Sequence, residues 1–256
     1  MNHLDPTKPD HPIAVRNAQA DGSVVVVCEH ASAHIPAEFA DLGLAPEARQ
    51  SHAVWDPGAL AVAEELADRL GATLVAATVS RLIYDCNRPP EAPDAMPAQS
   101  EVVRVPGNED LSETERADRA RRFYTPFRET LRDVLTAKSN PILVTIHSFT
   151  PIYHGKMRDV EIGILHDADR RVADALLEAA GGTTAFKVAR NEPYGPEDGV
   201  THTLRDQALP HGHANVMIEI RNDLLTTPEA QSDMAALLAG WLTTACAEIG
   251  GRSCTA

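Results

Sequence analysis

In VVVVCEHASAHIP, residues 24–36, four valines and a cysteine run without a break into Glu29, His30, Ser32 and His34. A short apolar run rich in β-branched residues reads as a buried strand, here from Ser23 to Cys28. Its end carries groups able to hold a metal ion or a proton. Either the strand simply surfaces there, or it delivers a site.

Working outward, helices and strands alternate. Asp56-Pro57 predicts a helix through Leu70, with Asp at the N-cap, Pro at the first helical position and Gly71 as the stop. TLVAATV (73–79) reads as the next strand. The stretch 85–101 is too rich in proline for a regular element and long enough to be a functional loop. Ser112 and Glu115 form a capping box ahead of a helix whose Phe123, Phe127, Leu131 and Leu135 share one face. ILVTIH (142–147), VEIGIL (160–165) and VMIEI (216–220) read as strands. Asp167 is expected to cap a helix through Ala180, and Thr227-Pro228 to open the C-terminal helix. Such alternation predicts an α/β fold with a mixed, mostly parallel central sheet flanked by helices. With 256 residues, 43% of them hydrophobic, one core and one domain are expected. Residues 1–20 read as a loose tail and 21–256 as the domain.

Charge narrows the partners. The formal charge of −14, from 23 basic and 37 acidic residues, repels phosphate backbones and anionic membranes. There is no run of about 18 apolar residues to span a bilayer. MNHLDPTKPDHP lacks the apolar core of a signal peptide. Cys28, Cys86, Cys246 and Cys254 form no CxxC pair, which fits reduced thiols and a cytoplasmic location.

Open α/β sheets bind ligands beyond the carboxyl ends of their strands. Three of the expected strands end in reactive groups: His30 after Glu29, His147 before Ser148, and Glu219 before Arg221. Two imidazoles and a carboxylate from separate strands suit a zinc ion. Each histidine alone reads more readily as a surface or hydrogen-bonded side chain; the pair, each after an apolar run, balances the ligand reading against that one. His34 shares a face with His30 only in a helix, which Pro36 disfavours. Glu29 points away from His30 in a strand and is the weaker ligand, though it suits a partner behind one. Asp56 can cap a helix or complete a two-His, one-carboxylate set. Arg81, Asn87-Arg88 and Arg221, just beyond strand-like runs, suit an anionic substrate, or pair locally with Asp85 and Asp223. The loop 190–204, with Tyr194 and His202, reads as a lid or as an ordinary connection, and His154 as a substrate contact or an exposed turn residue.

The blocks CEHASAHIP, WDPGA, SRLIYDCNRP, TIHSFTP, YHGKMRDVEIGIL, NEPYGPEDGVTHTL and VMIEIRNDLL, in this order, resemble the N-formylglutamate amidohydrolase family. The resemblance runs from about Val24 to the C-terminal helix. It implies a fold similar to the zinc exopeptidases and hydrolysis of a carbon–nitrogen amide bond in a small anionic N-acyl amino acid. The expected substrate is N-formyl-L-glutamate, cleaved to formate and glutamate in histidine breakdown. Residue by residue, it implies His30 and His147 as ligands of one zinc per chain, Glu219 as general base, and Asn87-Arg88 as the holders of a substrate carboxylate. Zinc carboxypeptidases use His-x-x-Glu, whereas the third residue after His30 is Ala33. Asp56 is therefore the expected carboxylate ligand. Arg221 is assigned to the second substrate carboxylate, and Arg81 or His154 to the oxyanion. A zinc hydrolase or carboxypeptidase of other specificity, and a binding protein for an acidic metabolite, remain alternatives.

Overall fold

The alternation of short apolar runs with amphipathic helices builds a seven-stranded sheet in the computed structural model, which describes residues 11–250. The strands are β1 (Ile13–Arg16), β2 (Val24–Cys28), β3 (Thr73–Ala77), β6 (Ile142–Phe149), β9 (Ile162–Leu165), β10 (Val188–Arg190) and β11 (Ala214–Arg221). Two hairpins stand apart: β4 (Gln99–Ser100) with β5 (Val103–Arg104), and β7 (Ile152–Tyr153) with β8 (Lys156–Met157). The sheet order is β1-β3-β2-β6-β11-β9-β10. Pairing is parallel except at β1–β3 and β9–β11.

Both sheet faces are covered, so β2, β6 and β9 are buried throughout. Val24, Val26, Cys28, Val144, Ile146 and Ile218 pack toward the helices α1 (Ala59–Arg69), α4 (Arg171–Ala180) and α5 (Pro228–Glu248). Val25, Val27, Leu143 and Met217 face the other way, into a cluster with Phe127 and Leu131 of α3 (Thr125–Thr136) and the buried loop residues Leu82, Ile83 and Tyr84. By the two-residue period of a strand, His147 and Glu219 lie on this second face.

Several boundaries differ from the sequence reading. Ile13–Arg16, placed in the loose tail, is an edge strand antiparallel to β3; residues 1–10 of that tail, like Cys254, lie outside the described residues. Asp56 does not cap α1. Gly58, at φ 81°, holds that position, and the Asp56 carboxylate turns to the histidines instead. Nor does Asp167 cap α4: Asp169 Oδ1 accepts from Arg171 N–H at 3.0 Å, while Asp167 accepts from the Thr201 hydroxyl. The Ser112 capping box is present and opens α2 (Glu113–Arg119), which runs through a π-turn at Ala120–Tyr124 into α3. Thr227 caps α5. No described helix is long and apolar enough to cross a membrane.

Candidate metal centre

Strand β2 stops at Cys28, and the turn that follows lets both Glu29 and His30 reach inward. In a continued strand they would point to opposite faces. His147 lies on the neighbouring β6, and Asp56 is drawn in where its N–H donates to the His30 carbonyl at 3.0 Å. Asp56 Oδ2 lies 3.2 Å from His30 Nδ1 and 3.0 Å from His147 Nδ1, and the two Nδ1 atoms are 3.1 Å apart. All three residues are buried and form a group that could hold a metal ion.

The triangle of donor atoms tests that possibility. Four-coordinate zinc with bonds of about 2.0–2.1 Å requires donor atoms roughly 3.3–3.4 Å apart. The observed edges fall just short of this, so little expansion is needed. The outer nitrogens support the same reading. His30 Nε2–H donates to Asp85 Oδ1 at 2.7 Å, which leaves the Nδ1 lone pair facing inward. His147 Nε2 lies 3.1 Å from Glu29 Oε2, at an angle that makes no hydrogen bond for either atom. Each imidazole thus has a buried carboxylate behind it.

Charge points the same way. Glu29, Asp56, Asp85 and Glu219 are all buried here, and the permanent cation bonded among them is Arg81. Its Nη2 donates to Asp85 Oδ2 at 2.8 Å and its Nη1 to Asp56 Oδ1 at 3.4 Å. Burial works against ionised Asp56 and Asp85, yet His30 and the neighbouring cationic groups hold both below the usual carboxylate range. Burial also opposes charge on His147, but Glu29 and Asp56 raise its pKa well above that of a free imidazole. The negative field that draws a proton to His147 draws a metal cation too, and the two compete for Nδ1.

Glu219 pairs in register with His147 across β6 and β11, and with Gly163 of β9 on its other side. Burial first, and Asp56 second among the raising influences, push its pKa up to about 7, against the pull of His147, His30 and Arg81. Gly163 leaves space for the Glu192 carbonyl, which a Cβ there would meet at 2.1 Å. The 191–194 segment therefore lies against the sheet beside Glu219. The Tyr194 hydroxyl is raised to about 12, by burial and then by Glu219, while Arg158 and Arg81 act the opposite way.

The other expected site residues make protein contacts of their own. The Asn87 side chain is consumed in protein contacts: it donates to the Val200 carbonyl and accepts from Thr203 N–H at 2.9 Å. It ties two loops together rather than presenting a free amide. Arg88 is held by Asp94 at 2.6 Å and lines a cavity of about 590 Å³ with Glu91, His202 and Asp206, a space that none of the three grouped residues borders. Arg221 pairs with Asp223 and Glu161. His154 and His34 are exposed, His154 in the β7–β8 turn. Two nearby residues went unnoticed in the sequence: Asp85, read only as a local partner for Arg81, and Arg158, whose charge acts on the Tyr194 hydroxyl. The first needed the loop 79–88 to fold back onto His30, and nothing in its spacing announces that.

A cluster of imidazoles and carboxylates at the carboxyl ends of parallel strands, on a sheet buried on both faces, defines a hydrolase-type site on an α/β fold. Sequence comparison takes this to a family: the family model of N-formylglutamate amidohydrolase matches residues 22–226, and the chain belongs to that family. It is accordingly a hydrolase acting on a non-peptide amide bond. Among solved structures, the gene product Atu2144 from Agrobacterium tumefaciens is similar at 52% identity and TM-score 0.92, covering 94% of this chain and 97% of its own. An N-formylglutamate amidohydrolase from Ralstonia eutropha JMP134 shares the fold at 19% identity and TM-score 0.63, covering 92% of this chain and 97% of its own. Among curated proteins, none matches the chain.

Proposed function

We propose that this chain is a zinc-dependent amidohydrolase that cleaves N-formyl-L-glutamate to formate and glutamate. The observation that carries the reading is the tight triangle of His30 Nδ1, His147 Nδ1 and Asp56 Oδ2, backed by the Asp85 and Glu29 carboxylates. Zinc bound there would supply Lewis acidity toward the scissile carbonyl and would acidify the attacking water. His30, Asp56 and His147 would hold it. Asp85 fixes the His30 ring by a hydrogen bond, Glu29 sets a negative charge behind His147, and Arg81 steadies the Asp56 and Asp85 carboxylates. Glu219, beside His147, takes the water's proton on its carboxylate and returns it to the departing amine. Burial, which disfavours its charged form, readies this carboxylate to accept a proton. Arg81, the cation of the cluster, is the candidate donor to the oxygen of the tetrahedral intermediate.

Elemental analysis of protein purified without chelator, with formate release measured before and after chelation, tests the reading. About one zinc per chain and chelator-sensitive turnover are expected. Turnover undiminished by complete zinc removal would overturn the zinc-dependent mechanism. Zinc without formate release from N-formyl-L-glutamate would overturn the substrate.

A further inference from the structure

The arginines expected to grip substrate are all ion-paired within the protein: Arg81 with Asp85, Arg88 with Asp94, Arg221 with Asp223 and Glu161. Arg158 differs. Among the described residues it has no acidic partner; its side chain makes a long contact from Nη1 to the Thr150 carbonyl at 3.4 Å and donates to the Tyr194 hydroxyl. Its guanidinium carbon instead lies 4.5 Å from the Tyr153 ring centroid, 4.6 Å from Tyr194 and 5.5 Å from Phe149. Aromatic faces stabilise a guanidinium and fix its plane while leaving its N–H edges unused. A half-buried cation with no carboxylate partner among the described residues, held in this way, is prepared for an oxygen anion that the protein itself does not supply.

Its place is next to the reaction centre. Phe149 follows His147 by two residues in β6 and so shares its face of the sheet. Tyr194, the second ring, has its hydroxyl under the combined influence of Glu219, Arg158 and Arg81. The backbone at Arg158 is fixed from three sides. Its N–H donates to the Pro151 carbonyl at 2.8 Å, its carbonyl accepts from Arg221 Nη1 at 3.2 Å, and the hairpin ahead of it is tied down where His154 N–H donates to Glu101 Oε1 at 3.1 Å. Arg221, expected to touch substrate, thereby becomes a positioning residue for Arg158.

We infer that Arg158 is the substrate-carboxylate receptor of this site, its guanidinium forming a bidentate pair with a carboxylate of the N-acyl amino acid. The inference rests on the amidohydrolase reading for the rest of the substrate. The bidentate pair requires planar, paired donors, so lysine is a poor replacement.

The test compares the zinc-supplemented parent protein with Arg158→Ala and Arg158→Lys. Formate release is followed from N-formyl-L-glutamate, from N-formyl-L-glutamine and from the α-amide of N-formyl-L-glutamate; glutarate binding is measured by calorimetry. Loss of a charge-assisted bidentate pair should raise KM for N-formyl-L-glutamate by about 30- to 150-fold in Arg158→Ala with kcat changed far less. Lysine should restore only part of this. The amide lacking the carboxylate that Arg158 holds should be insensitive to the substitution, which identifies that carboxylate as α or side-chain. Unchanged KM, or an equal rise for all three substrates, would overturn the inference while leaving the amidohydrolase reading intact. If the parent releases no formate, that reading fails, and calorimetry still decides Arg158: glutarate binding weakened in Arg158→Ala supports the receptor, and equal binding, or none by the parent, overturns it.

Discussion

Asp85 and Glu219 are both buried carboxylates, yet they carry different burdens. Asp85 accepts from His30 Nε2, from Arg81 Nη2 and from the Asn87 N–H, so its charge is fully bonded. Glu219 has its charge held back by burial. The first is built to orient, the second to exchange a proton. Asp85→Asn is therefore expected to weaken zinc binding about 10- to 100-fold, read by competition with a chromophoric chelator. Glu219→Gln is expected to keep one zinc per chain and to lose at least about 100-fold in kcat. A near-normal rate in that variant would remove Glu219 from proton transfer.

At the scale of elements, close packing against β9 holds the segment that carries Tyr194. Gly163 has no side chain because the Glu192 carbonyl occupies that space. A methyl group there must displace backbone, since no flexible side chain can give way. Gly163→Ala should lower the melting temperature by several degrees and disturb turnover through the 191–194 segment, both measurable on the zinc-supplemented protein. The other flank of the site is tied to α3. Asp206 accepts from Arg128 Nε at 2.6 Å and Nη2 at 2.7 Å, which joins the segment Leu204–Ala208 to that helix. Burial raises the Asp206 pKa, but the Arg128 bonds outweigh it and bring it below the usual carboxylate range. A carboxyl depressed in the folded state contributes stability that is fully present above its unfolded pKa and is lost as pH falls through the folded value. Asp206→Asn should flatten the stability profile below about pH 4, as read by denaturant titration across pH.

Across the whole molecule, the grouped carboxylates and imidazoles lie between β2, β6, β11 and the loop 79–88. A cation bound there joins parts of the chain far apart in sequence. Metal that binds only the folded state stabilises it in proportion to its saturation. With zinc at a thousandfold excess over its dissociation constant, removal by chelator should lower the melting temperature on the order of 10 °C for a chain of this size. A melting curve indifferent to chelator would contradict a bound structural ligand at this point.

Much of this was legible in the chain order alone. Short β-branched runs between amphipathic helices required a sheet buried on both faces, because those runs have no polar face to offer water. The strand-end positions of His30, His147 and Glu219 followed from the same periodicity. What no local pattern held was contact across loops. The turn after Cys28 swings Glu29 behind His147, the carboxylate of Asp56 leaves its helix for the histidines, and Asp85 folds back onto His30. Asn87 and Arg88, beside Asp85, are spent on bonds to the segment 200–203 and to Asp94. Hydrophobic period is a property of neighbouring residues and survives in one dimension. Which charged groups meet depends on how loops close over a sheet, and that is settled by burial and pairing among residues far apart in sequence.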